Sequence, residues 1–114
     1  MDLRDVGNYD KLVLVVVQDN DAGDYTAVLS DAGFSHTRIL SSGGFLRATN
    51  ALFLIGIAST RLAELQTLTV TVCTTRNELV TVPWVGEFAL SMPVEVEVGG
   101  ASMFVIPIDK AERL

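Results

Sequence analysis

The stretch Leu12-Val13-Leu14-Val15-Val16-Val17-Gln18-Asp19-Asn20-Asp21 decides the fold. Its first six residues are branched and apolar without alternation, as in a strand buried on both faces. Gln18 to Asp21 then supply turn chemistry. A helix is expected next, with Asp21 as N-cap and Asp24 at the positive end of its dipole. Tyr25, Val28, Leu29 and Ala32 share one face of that helix. Gly33 suits the left-handed position past its end, with Phe34 as the hydrophobic residue that follows.

Working outward, residues 35–40 read as a second strand, with His36, Arg38 and Leu40 on one face and Ser35, Thr37 and Ile39 on the other. A loop, 41–50, leads to Ala51-Leu52-Phe53-Leu54-Ile55-Gly56-Ile57, a third strand apolar on both faces. Ser59 is expected to cap a second helix whose buried stripe is Leu62, Leu65, Leu68, Thr69 and Val72. Residues 73–93 show no period. They hold two prolines, Gly86, Trp84 and Phe88, and are read as a long loop. Val94-Glu95-Val96-Glu97-Val98 alternates as a half-solvated strand should. Gly99-Gly100 suits a tight hairpin turn into a last strand, 103–108. Pro107 has no N–H to donate, so that strand belongs at an edge.

The resulting order is α+β and ferredoxin-like, βαββαβ with a C-terminal hairpin. Residues 1–10 read as a flexible N-terminal arm and 11–114 as one domain. Two helices cover only one face of such a sheet, yet the first and third strands are apolar on both. A second copy of the chain is the simplest cover for the other face.

Composition narrows the function. The 114 residues carry 14 acidic and 8 basic side chains, a net charge of −6. Duplex nucleic acid demands a basic surface that releases counterions, so it is excluded as a partner. A small anion remains suitable, because backbone N–H groups can hold one. Cys73 is the single cysteine and His36 the single histidine, so neither a disulfide nor a Cys/His metal cluster is expected. The apolar runs are too short to span a bilayer. The start MDLRDVGNYDKL is unlike a signal peptide, so a cytoplasmic location is expected. Cys73 is read as a buried filler and His36 as structural. Glu95 and Glu97 are read as charge protection of their strand. No constellation for acid–base or nucleophilic chemistry is seen, so no enzyme activity and no cofactor are expected.

The segment Gly43-Gly44-Phe45-Leu46-Arg47-Ala48-Thr49-Asn50 is the most unusual. Two glycines allow successive N–H groups to converge on a phosphate. Arg47 offers a planar, bidentate phosphate donor. Phe45 offers a face for a purine, where stacking is worth roughly 1–3 kcal/mol. Asn50 suits a base edge or a phosphate. Each also has a plain reading: Gly-Gly as a turn, Phe45 and Leu46 as core plugs, Arg47 as a solvated charge.

Three segments together resemble the cyclic-di-AMP receptor family of PII-like signalling proteins. They are Val17-Gln18-Asp19-Asn20-Asp21, the loop from Ser42 to Asn50, and Pro93-Val94-Glu95-Val96-Glu97-Val98-Gly99-Gly100-Ala101. The likeness covers roughly residues 11–109. It implies a homotrimer that binds cyclic di-AMP in three clefts between subunits and signals to a downstream protein partner. Ligand contacts implied by the resemblance are Thr37, Gly44, Phe45, Leu46, Asn50 and Gly56, with Gly43 and Arg47 in the same motif. Gly56 would let an adenine approach the strand. The chain departs from the family at Gly33, where an asparagine is usual, and at Ser35, where an arginine is usual. Residues 110–114 also differ, without the ligand contact the family has near Arg113. Those departures keep a second expectation open, a PII-like trimer that senses another nucleotide or small anion.

Overall fold

A computed structural model describes residues 3–39, 49–83 and 91–114, with side chains described at 4–39, 49–79 and 95–114. The chain begins with a short 3-10 helix, Leu3–Asn8. Strand β1, Lys11–Gln18, runs directly into helix α1, Asp19–Asp31. Strands β2, Ser35–Ile39, and β3, Asn50–Ile57, follow. A 3-10 turn, Ser59–Arg61, leads into helix α2, Leu62–Val72. Strands β4, Arg76–Pro83, β5, Ser91–Val98, and β6, Ala101–Pro107, complete the order.

The main sheet has the order β2-β3-β1-β6, with every neighbour antiparallel. That is the ferredoxin-like arrangement, in which each helix connects strands that are not neighbours. The expected α+β class is present, and this sheet is compatible with the expected ferredoxin-like fold. β6 lies at the sheet edge, where Pro107 is tolerated.

Val13, Val15 and Val17 of β1 and Ala51, Phe53, Ile55 and Ile57 of β3 are buried. They pack with Tyr25 and Leu29 of α1 and Leu65 of α2. The rings of Tyr25 and Phe53 meet edge to face at 5.0 Å. The Tyr25 hydroxyl and Thr69 Oγ1 lie 2.7 Å apart, which ties α1 to α2. Burial pushes the Tyr25 phenol up to about 12. Cys73 is a buried filler as expected, its thiol pushed up to about 11 by burial.

The end of α1 follows the sequence. Phe34 N–H donates to Leu29 O at 2.9 Å and Gly33 N–H to Ser30 O at 3.1 Å. With Gly33 at φ 75° this is a Schellman ending, which satisfies two of the last carbonyls. The start of α1 does not follow. The helix begins at Asp19, and Asp21 caps nothing. Asp21 is buried instead, and its Oδ1 accepts from Arg76 Nη2 at 2.9 Å. This ion pair fastens the base of β4 to the first turn of α1.

Two expectations are corrected. The segment 73–93 is not simply a long loop. β4 and β5 pair along their full length, Arg76 opposite Val98 and Pro83 opposite Ser91, as a separate two-stranded arm. Pro93 stands opposite Thr81. In a two-stranded ladder each strand is an edge, so proline is compatible with it. The second correction concerns Gly99-Gly100. β5 does not fold back on β6; the glycines turn the chain from the arm into the main sheet. Their φ values, 87° and 84°, are open to glycine at little cost. Gly99 N–H donates to Gln18 Oε1 at 2.7 Å and Gly100 N–H to Cys73 O at 2.5 Å. A Cβ at Gly99 would strike the Thr74 carbonyl.

Residues 1–10 were expected to form a flexible arm; the structure gives the described part of that segment a definite course. Asp10 extends β1 by one step, donating to Ile57 O and accepting from Ile108 N–H, both at 3.0 Å. Its carboxylate accepts from Ser59 N–H at 2.6 Å and Ser59 Oγ at 2.8 Å. The cap of the second helical segment is therefore reversed: Ser59 donates, and Asp10 supplies the acceptor.

Two outcomes are expected. Gly99→Ala combines a positive φ with a backbone collision, and should cost about 1–3 kcal/mol of stability. Urea denaturation reads this, and a change within about 0.5 kcal/mol would contradict it. The Ser59 hydroxyl, and then its N–H, lower the Asp10 carboxyl from its ordinary 3.8. The tether is thus fully present above that value and is lost as pH falls through the lower, folded value. An NMR titration of the Asp10 carboxyl and Ser59 amide should show a common midpoint below 3.8; a midpoint at or above it would contradict the tether.

Candidate functional site

The face of the main sheet away from the helices carries the candidate site. Side chains alternate along a strand, so the residues between the buried ones point to that face. These are Leu12, Leu14 and Val16 of β1, Leu52, Leu54 and Gly56 of β3, and Ser35, Thr37 and Ile39 of β2. The register agrees: Ser35 lies opposite Gly56, Thr37 opposite Leu54 and Ile39 opposite Leu52. β6 adds Phe104 opposite Leu14 and Ile106 opposite Leu12. Phe104 is 56% exposed and Ile106 41%.

Of the expected site residues, Gly43, Gly44, Phe45, Leu46 and Arg47 lie outside the described residues, as do Trp84 and Phe88. Thr37, Asn50 and Gly56 are described and share this one face. Thr37 and Gly56 are diagonal neighbours, two register positions apart across β2 and β3. Asn50 is not with them. It stands at the far end of β3, opposite Gln18. Six steps of strand, roughly 20 Å, separate it from Gly56.

Each end has its own recess. The one at Gly56 has a volume of about 220 Å³ and includes Tyr9, Gly33, Ser35 and Arg61 in its lining. The one at Asn50 has a volume of about 270 Å³ and includes Gln18, Gly99, Gly100 and Ser102. The two glycines of the corner thus form one wall of the second recess.

Sequence reasoning missed two residues of the first recess. Tyr9 lays its ring directly on Gly56. A Cβ built there would lie 2.5 Å from Tyr9 Cδ2 and 2.8 Å from Cε2. The Tyr9 hydroxyl donates to Ser35 Oγ. The close approach expected at Gly56 is thus made by an aromatic ring of the chain itself. The only signal was an aromatic residue in an otherwise polar start. Arg61 is the second. Its guanidinium lies 4.0 Å over the Phe34 ring, donates to Ala32 O at 2.8 Å and pairs with Glu64. It places a positive charge in the same lining as Ser35, the position at which the resemblance implies an arginine. Arg38 and His36 do not replace that charge. They lie on the helix side, Arg38 paired with Asp19 at 3.0 Å and His36 beside Phe53.

Among the described residues, no group of three or more His, Cys, Asp or Glu is placed to hold a metal ion. Among them, too, no helix is long and apolar enough to cross a membrane.

A crystal structure of a functionally unknown protein from Pediococcus pentosaceus ATCC 25745 is similar to this chain over most of its length. It shares 34% identity and a TM-score of 0.75, over 94% of this chain and 99% of that one. A family model described as the cyclic-di-AMP receptor matches residues 10–114. The match begins at the Asp10 tether and runs through the C-terminal residues 110–114, beyond the span of the resemblance seen in the sequence. By that match the chain belongs to the cyclic-di-AMP receptor family.

Proposed function

We propose that the chain is a PII-like signalling receptor that binds cyclic di-AMP as a homotrimer, with the nucleotide in clefts between copies. One observation carries the intersubunit reading. The described residues assigned to the ligand fall in two groups, Thr37 with Gly56 and Asn50 alone, at ends of β3 roughly 20 Å apart, and each end has a recess. No compact ligand touches both ends of one copy. A site that uses both takes the Gly56 end from one copy and the Asn50 end from a neighbour. The apolar face between them, with Phe104 and Ile106 exposed, supports the association.

In this reading Gly43, Gly44 and Arg47 supply the phosphate nest, and Phe45 and Leu46 close over a base. Thr37 and Gly56 shape the purine pocket, and Asn50 reads a base edge or a phosphate. The protein is a cytoplasmic sensor and not an enzyme, and it needs no cofactor. Ligand-dependent ordering near the site changes the surface offered to a downstream protein. The β4–β5 arm, with Leu79 77% exposed, is the natural surface for that protein.

A second reading, a PII-like sensor of another nucleotide or small anion, is favoured by Gly33 and Ser35. Neither brings the amide or the guanidinium of the family pattern. Gly33→Asn is compatible with the local backbone, since asparagine is among the residues that accept positive φ.

Calorimetry on the folded oligomer, with cyclic di-AMP beside cyclic di-GMP, ATP and AMP, separates the readings. Saturable heat with cyclic di-AMP alone is expected. Heat only with another nucleotide would establish the second reading, and Gly33→Asn with Ser35→Arg should then restore cyclic-di-AMP binding. No heat with any of them would defeat the nucleotide sensor.

A further inference from the structure

We propose that Tyr9 is an intramolecular occupant of the nucleotide pocket, so that the N-terminal segment competes with the ligand for the recess at Gly56. The inference rests on the reading that Gly56 belongs to that pocket; the occupancy itself is a feature of this chain's own geometry.

Gly56 is the one place on β3 where a flat ring can lie against the backbone, and Tyr9 lies there. With ring carbons 2.5 and 2.8 Å from the Cβ position, a second ring cannot enter until the first has left. The Tyr9 hydroxyl also takes Ser35 Oγ, a polar group that would otherwise face the ligand. With the segment in place the recess holds about 220 Å³, below the roughly 300–1,000 Å³ typical of small-molecule sites. Asp5 is in its lining as well.

The anchoring suits such a movement. Asp10 is held from two sides by Ile57 and Ile108 and at its carboxylate by Ser59. Residues 3–8 form only a short 3-10 helix, with Arg4, Asp5, Gly7 and Asn8 exposed. The segment can therefore swing about Asp10 while β1 keeps its register. Apparent affinity is then reduced by the fraction of molecules in which the pocket is open.

The test compares the full chain with full-length Tyr9→Ala and Tyr9→Phe by calorimetry with cyclic di-AMP. Chymotryptic cleavage after Tyr9 is followed in parallel by mass, with and without nucleotide. Tyr9→Ala should bind about fivefold tighter or more. Tyr9→Phe keeps the ring on Gly56 and loses only the Ser35 bond, so it should fall between. Nucleotide should speed cleavage after Tyr9 in the parent chain. Equal affinity of parent and Tyr9→Ala, weaker binding by Tyr9→Ala, or protection of Tyr9 by nucleotide would each overturn the occupancy while leaving nucleotide binding intact. No binding of cyclic di-AMP by any of the three would instead defeat the cyclic-di-AMP reading, and this inference with it.

Discussion

The structure depends on one constraint: its two central strands are apolar on both faces, and its two helices cover only one. β1 sends Val13, Val15 and Val17 under α1 and α2, and β3 sends Phe53 and Ile55 there. The intervening residues, Leu12, Leu14, Val16 and Leu54, face the other way and are only half-buried. Register cannot slip to relieve this, because a one-residue shift exchanges one apolar set for the other. The sheet therefore presents an apolar surface that favours a second body against it.

Placement of the candidate site follows from that surface. Thr37, Asn50 and Gly56 all lie on the half-covered face, and the two ends of β3 carry separate recesses. A glycine marks each end for a different reason. Gly56 lets a ring lie on the strand. Gly99 and Gly100 turn the chain from the arm into the sheet, while their N–H groups are taken by Gln18 and Cys73. The Asp21–Arg76 pair fastens the same arm to α1 from the other side. The arm's base and the Asn50 recess are thus built from adjoining residues.

Much of this was legible in the sequence. Unbroken apolar runs located β1 and β3, helical spacing located α1 and α2, and Gly33-Phe34 located the Schellman ending. The resemblance carried by the 42–50 loop and the 93–101 segment led to the family. Most of β5 was read as a strand from its alternation at 94–98, but β4 and its pairing were not legible, because Asn77, Glu78 and Pro83 break the alternation that a strand in a large sheet would show. Gly99-Gly100 was assigned to a hairpin because a tight turn and a corner demand the same positive φ; only the pairing partners distinguish them. Asp21 looked like a cap because an aspartate near a helix start usually is one. Its burial against Arg76, 55 residues on, is a tertiary fact. Tyr9 and Arg61 belong to no motif, and they reached the site through contacts at long sequence separation.

The most direct test of the shared site is complementation between copies. Gly56→Val fills the purine end, and Asn50→Ala removes the polar group at the other end. Each variant, shown to be folded and assembled, should bind no cyclic di-AMP alone. Co-assembled oligomers of the two should regain binding, because one kind of interface then joins an intact Gly56 end to an intact Asn50 end. Co-assembled material that stays unable to bind, when the parent chain binds, would contradict a site built from two copies.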